Sequence, residues 1–189
     1  MAMKTIGYFF SFAGRKFLCA FFLAVICLCL IQTYPTAYDP AIEEKVNLLL
    51  SQMTLQEKVD QLRTVDNWNT RENKRLGIQG FHFADGPHGI RNGFATCFPT
   101  GTAMASTWDE DIIKKIGMAI GNEAKAKGIN QNLGPCIDIC RDPRGGRTQE
   151  SAGEDPYLAS RIGISYTLGL QSTKVISTLK HFSLNTREQ

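Results

Sequence analysis

The chain has 189 residues, 43% of them hydrophobic and 21% charged, with a formal net charge of +3. That composition supplies one ordinary hydrophobic core and excludes an intrinsically disordered protein. The basic residues are scattered, so no sequence-wide electrostatic case for a nucleic-acid partner exists, and the single Arg144-Gly145-Gly146-Arg147 reads as a structured turn.

Residues 1–36 differ in kind from the rest. Lys4, Arg15 and Lys16 precede a continuous apolar run from Phe17 to Ile31, which Gln32, Thr33 and Pro35 end. A basic region, an apolar run shorter than the roughly 20 residues that span a bilayer and a polar exit predict a secretory signal peptide over 1–36. The mature chain then begins near Ala37 in a secreted or periplasmic location with no stable membrane span; an uncleaved anchor is the alternative.

Cys19, Cys27 and Cys29 fall in that leader, which leaves Cys97, Cys136 and Cys140. An odd number permits at most one internal disulfide, and four residues of strand separate Cys136 from Cys140 by roughly 13 Å, beyond a disulfide's reach. Only Cys97 with one of them remains as a pair; otherwise the three read as small buried apolar residues. His82, His88 and His181 show no ligand spacing with the thiols, so no metal or other cofactor is expected.

After the leader, Asp39-Pro40 reads as an N-cap with Pro at the first helical position, followed by Ile42, Val46, Leu49, Leu50 and Met53 at helical spacing. Thr54-Leu55-Gln56-Glu57 is a capping-box pattern that starts a second helix carrying Leu55, Val59 and Leu62 inward. Asn67 to Lys74 is polar connection. Ile78 to Phe83 predicts a strand that ends in the irregular loop Asp85-Gly86-Pro87-His88-Gly89-Ile90-Arg91. A very short strand is expected at Ala103 to Ser106, then a second capping box at Thr107 to Glu110 and a helix burying Ile112, Ile113, Ile116, Ile120 and Ala124, with Gly128 free to take positive φ at its end.

Ile129 to Ile139 predicts the next strand, with Asn130 and Asn132 turned toward a wet barrel interior. A loop crowded with Arg, Asp, Glu and Gly follows, then Asp155-Pro156 caps a helix with Leu158, Ile162, Tyr166 and Leu170 on one face. Val175 to Leu179 is a last strand that delivers Lys180-His181 at its end. Repeated strand-loop-helix units imply an α/β fold with a parallel sheet, either doubly wound or a (β/α)8 barrel. No Gly-x-Gly-x-x-Gly and no phosphate loop is present, whereas special residues recur after strand ends, which is how barrels build sites.

The loop after Cys140 carries the most specific wording. Arg141-Asp142-Pro143-Arg144-Gly145-Gly146-Arg147-Thr148-Gln149-Glu150-Ser151, followed by Gly153-Glu154-Asp155-Pro156-Tyr157-Leu158, resembles the signature segment of glycoside hydrolase family 3, the beta-glucosidases and beta-xylosidases. Asp85-Gly86-Pro87-His88-Gly89-Ile90-Arg91 and Lys180-His181-Phe182 match two further family segments in order, and the resemblance covers roughly Ser51 to Gln189.

The resemblance implies the first half of a (β/α)8 TIM-type barrel over 37–189, an N-terminal fragment, since such a barrel takes about 250 residues. It implies an oligosaccharide or glycoside as the substrate, with Asp85, Arg147, Lys180 and His181 holding the non-reducing terminal sugar and Arg91 and Glu150 supporting them. The residue types suit that role, because a carboxylate accepts from vicinal hydroxyls while Arg and Lys donate to sugar oxygens. As a pocket residue, Asp85 is expected to contribute little to folding.

The implied activity is retaining hydrolysis of terminal beta-linked glucosyl residues, which needs a nucleophile and a general acid about 5–5.5 Å apart. In the family the nucleophilic Asp lies in a Ser-Asp-Trp-like segment several strands further on, and the acid/base Glu usually in a following domain. Neither is in this sequence, so no catalytic residue is assigned and the fragment alone is expected to be inactive. Beta-xylosidase of the same family and a non-catalytic truncated sugar-binding protein are the alternatives. The sequence carries no signal for oligomeric state.

Overall fold

Asp39 opens the first helix, α1 (Pro40–Gln52), by accepting the amide of Ala41 at 2.9 Å, as its position before proline predicts. Thr54 and Glu57 then exchange both bonds of a capping box, at 3.2 and 2.8 Å, to start α2 (Leu55–Gln61). The computed structural model describes residues 39–182 and 185–187, so the signal-peptide expectation for 1–36 lies outside it. Contacts divide the chain at Ser51/Gln52. The fold that follows is that of the second unit.

The apolar face of α2 is not turned inward as expected: Leu55 is 79% exposed and Leu62 88%. Periodicity reports which face of a helix is apolar, not whether another element lies on it. The stretch expected to be plain polar connection forms antiparallel bridges instead, Thr64 with Thr70, Asn73 with Ile78 and Asn69 with His82. Ladder strand proper is confined to β1 (Phe83–Asp85), later than the strand predicted over 78–83.

The short strand expected at 103–106 is a helix, α3 (Gly101–Ala105), which buries Met104 and Ala105. Four residues are too few for a period of 2 to be told from one of 3.6. The second capping box moves as well: Asp109, not Thr107, caps α4 (Glu110–Ala126), its carboxylate accepting from the amides of Asp111 and Ile112. α4 buries Ile113, Ile120 and Ala124 as predicted, while Ile112 is 41% exposed. Gly128 ends it at φ +74°.

Three parallel strands in the order β1-β2-β3 follow from β2 (Gln131–Leu133) and β3 (Ile176–Ser177), with Phe83 opposite Gln131 and Gln131 opposite Ile176. Pro135 has no N–H to continue the ladder, so the long strand expected over 129–139 stops at Leu133 and resumes only as a bridge from Cys136 to Lys180. The connection from β2 to β3 runs through a 3-10 turn, Thr148–Glu150, and α5 (Pro156–Gln171), which Asp155 caps. The fold class is the one expected: an α/β chain of β/α units of the (β/α)8 barrel type.

The core lies between the sheet and the paired helices α4 and α5, where Ile113, Ile120, Tyr166 and Leu170 are wholly buried. Each such side chain contributes about 1.5–3 kcal/mol. Asn132 belongs to this layer and not to a wet barrel interior: it is fully buried, and its amide donates to Tyr166 Oη on α5 at 3.1 Å and to the Gly86 carbonyl at 3.0 Å. The side chain that alternates with it, Gln131, faces the other way and donates to Thr178 Oγ1. No helix among the described residues is long and apolar enough to cross a membrane.

Candidate functional site

Charged residues collect where the strands end. β1 terminates at Asp85, whose Oδ1 accepts from Lys180 Nζ at 2.5 Å and whose Oδ2 accepts from Arg91 Nη1 at 2.5 Å. The Asp85 and Lys180 side chains are 19% and 14% exposed, Arg91 66%. Burial pushes the Asp85 carboxyl up, but the bonds from Lys180 and Arg91 outweigh it and hold the group below the usual carboxylate range. The loop after Asp85 is anchored from α5, because the Gly86 carbonyl takes the Asn132 amide and faces the Tyr166 hydroxyl at 3.4 Å.

Arg147 sits at the start of the 3-10 turn and grips Glu150 two-pronged, Nε to Oε1 at 2.8 Å and Nη2 to Oε2 at 2.9 Å. This pair holds the Glu150 carboxyl down at about 2. Glu150 Oε2 also accepts from Cys136 Sγ at 3.4 Å, and burial pushes that thiol up to about 12. The helix the sequence misread is what props this turn: Thr102 Oγ1 on α3 donates to the Ser151 carbonyl at 3.1 Å.

His181 leans on a residue that sequence reasoning passed over. Asp138, 5% exposed, accepts from His181 Nδ1 at 2.7 Å and from the amide of Asn185 at 2.7 Å. It stands in what reads as an apolar run, Cys136 to Cys140, and a carboxylate at an alternate position of a buried strand was the signal available. His181 and Arg147 line one narrow crevice of about 10 Å³, together with Asp138 and Glu150. Lys180 is near enough to act electrostatically on both Cys136 and Glu150. All four sequence-predicted residues thus gather past the C-terminal ends of parallel strands, Asp85 directly with Lys180 and Arg147 beside His181. Arg91 and Glu150 stand behind them as partners of Asp85 and Arg147.

No disulfide joins Cys97 to either of the other two. Cys97, Cys136 and Cys140 are all free thiols; Cys97 is exposed, contrary to its reading as a buried residue, and Cys140 Sγ lies 3.4 Å from the Thr148 carbonyl. Spacing along the chain also hid a donor cluster, since the ligand atoms of Cys136, Asp138 and His181 lie within 4.8 Å of one another.

In chemical terms the site offers carboxylate acceptors and guanidinium, ammonium and imidazole donors on one face. Asp85 spends two of about four lone-pair directions on Lys180 and Arg91, which leaves acceptor capacity for hydroxyls. A neutral polyol with vicinal hydroxyls suits a set in which the charges already offset one another.

Residues 43–186 match the glycosyl hydrolase family 3 N terminal domain. The chain belongs to glycoside hydrolase family 3. It is 40% identical over 150 residues to probable beta-glucosidase H of Aspergillus oryzae, covering 76% of this chain and 18% of that protein. Identity to thermostable beta-glucosidase B of Acetivibrio thermocellus is 37% over 156 residues, 76% of this chain and 21% of the relative. Among solved structures, beta-glucosidase from Kluyveromyces marxianus in complex with glucose superimposes with a TM-score of 0.73 at 40% identity, over 76% of this chain and 18% of that one. The chain therefore spans about a fifth of the length of the family 3 proteins it matches.

Proposed function

We propose that this chain supplies part of the pocket for the non-reducing terminal sugar in a beta-glucosidase of family 3, which releases beta-linked glucosyl residues by a retaining mechanism. The observation that carries the reading is the gathering of Asp85, Arg147, Lys180 and His181 past the ends of β1, β2 and β3, where barrel enzymes place their sites. Similarity to a beta-glucosidase solved with glucose supports glucose as the sugar.

In this reading Asp85 accepts from two neighbouring ring hydroxyls, Lys180 and Arg147 donate to sugar oxygens, and His181 presents the ring edge that Asp138 leaves open. Arg91 and Glu150 fix the orientation of Asp85 and Arg147. Nucleophile and acid/base come from segments other than this one. Export through the leader would place the enzyme outside the cytoplasm.

A glucose titration of the full chain followed by two-dimensional amide NMR tests the pocket. Saturable millimolar shifts confined to the loops around Asp85, Arg147 and Lys180-His181 are expected; shifts elsewhere, or none, overturn the assignment.

A further inference from the structure

We propose that Cys136, Asp138 and His181 form a binding site for a divalent cation of the zinc class, and that a cation held there opposes sugar binding by replacing the Asp138 hydrogen bond that orients His181. The cation site stands on its own geometry. Its competition with sugar rests on the pocket reading given above.

The donors come from two neighbouring strand ends that the backbone locks together. Cys136 bridges Lys180, the Lys180 amide donates to the Pro135 carbonyl at 3.0 Å, and the Ile137 amide donates to the Lys180 carbonyl at 2.8 Å. Sulfur, imidazole and carboxylate therefore face one another without any folding rearrangement, and the Asn185 amide fixes the Asp138 carboxylate from behind at 2.7 Å. Cys136 and Asp138 are each 5% exposed, while the His181 side chain is 28% exposed, so the cluster is closed on two sides and reached from the cleft.

Metal–ligand distances of about 2.0–2.3 Å in a tetrahedral arrangement put donor atoms about 3.3–3.6 Å apart. The present separations bracket that range: His181 Nδ1 to Asp138 Oδ2 is 2.7 Å and no pair exceeds 4.8 Å. Opening the short pair by about 0.6 Å and closing the longest by about 1.2 Å at most completes the geometry. Glu150 Oε2 lies 3.4 Å from Cys136 Sγ but is held by Arg147, so water completes the coordination.

A mixed sulfur, nitrogen and oxygen donor set selects zinc-like ions over magnesium or calcium, which take oxygen ligands. On binding, the cation replaces the Cys136 proton, which leaves to solvent, and the proton that His181 Nδ1 gives to Asp138 passes by way of solvent to Nε2, so that the thiolate and the Nδ1 lone pair become ligands. Arg91, Arg147 and Lys180 are offset by Asp85, Glu150 and Asp138, and the exposed Arg187 also lines the cleft, so a divalent cation with the thiolate adds one net positive charge to a site that already carries one.

Cobalt(II), added alone to the full reduced chain, is the probe. A near-ultraviolet sulfur-to-cobalt charge-transfer band with intense four-coordinate visible bands is expected at one equivalent. Cys136→Ser should abolish the charge-transfer band, Cys97→Ser and Cys140→Ser should keep it, and Asp138→Asn should weaken binding at least about tenfold. No band, or a band that survives Cys136→Ser, overturns the cation site. Unmodified chain gives a second readout independent of variant folding: zinc must shift the His181 ring resonances with one-to-one stoichiometry, and unshifted resonances also overturn it.

Glucose then separates the two claims. Displacement of bound cobalt by glucose supports the competition. Glucose that binds the metal-free chain yet leaves the cobalt spectrum unchanged overturns the competition while the pocket reading stands. Absence of glucose binding to the metal-free chain overturns the pocket reading and the competition, with the cation site decided by the cobalt band alone.

Discussion

Lys180 Nζ lies 2.5 Å from Asp85 Oδ1, an ion pair that reaches from the end of β3 past β2 to the end of β1. One bond thus connects the outer strands of the sheet over the residues assigned to the sugar. It makes Asp85 a folding residue as well as a proposed pocket residue, which alters the sequence-based expectation that its loss would leave stability untouched.

Asp85→Asn keeps the shape and removes the charge that Lys180 and Arg91 face. An exposed pair is worth about 0–1 kcal/mol and breaking a buried one costs about 3–5. At 19% and 14% exposure this pair sits between, about 2 kcal/mol, which for a chain of this size lowers Tm by about 4–8 °C. Glucose affinity should fall about 10–100-fold, since hydrogen bonds to a charged group contribute about 1.5–3 kcal/mol. Calorimetry reads both. A lowered Tm with unchanged affinity leaves Asp85 a purely structural ion-pair partner.

Gly169→Ala tests the helix pairing that carries the site. A Cβ at Gly169 would stand 2.0 Å from the Lys114 carbonyl oxygen of α4, backbone that cannot step aside without parting α4 from α5. Overpacking of this kind costs about 1–3 kcal/mol or more. The expected result is a clear loss of thermal stability, measured by circular dichroism, against the usual gain of an alanine in a helix interior. An unchanged or raised Tm would show that the helices are not packed at this distance.

Much of this arrangement is legible in the chain where a local rule has one physical solution. Asp39, Thr54 and Asp155 cap the helices they announce, while Asp85 closes β1 and Lys180-His181 come after a β3 that is shorter, at Ile176–Ser177, than the strand expected over 175–179. Legibility fails where a tertiary partner decides. Asn132 looks inward-facing by alternation, yet Tyr166, 34 residues later, supplies the bond that makes burial on the helix side cheaper. Asp138 is invisible for the same reason, because its partners His181 and Asn185 lie more than 40 residues away. α3 is too short to show a period, and the face of α2 is apolar without being covered.

The 189-residue chain by itself should turn over no aryl beta-glucoside, because no Ser-Asp-Trp-like nucleophile segment occurs in it. Turnover by pure material that is abolished by a substitution in this chain would contradict this. Expressed in an exporting host, the same chain should be recovered outside the cytoplasm with an N-terminus near Ala37; intact Met1 on a cytoplasmic product would refute the leader assignment.

Acid should reveal how Arg147 holds Glu150. The two-pronged bond drops the Glu150 carboxyl from an ordinary 4.5 to about 2 in the folded chain. Because the folded value is the lower one, the unfolded chain binds the proton first as pH falls, and the stabilisation is fully present above about pH 4.5 and lost as pH falls through about 2. Glu150→Gln lacks that titration. Wild type should therefore melt a few degrees above the variant near pH 6, and the gap should narrow steadily below about pH 4.5 and close near pH 2. Other carboxylates titrate in both proteins alike, so the difference between the two melting curves isolates this group. A gap that stays constant from about pH 6 down to about pH 2 would mean that Glu150 acts through packing under Cys136 and not through its charge on Arg147.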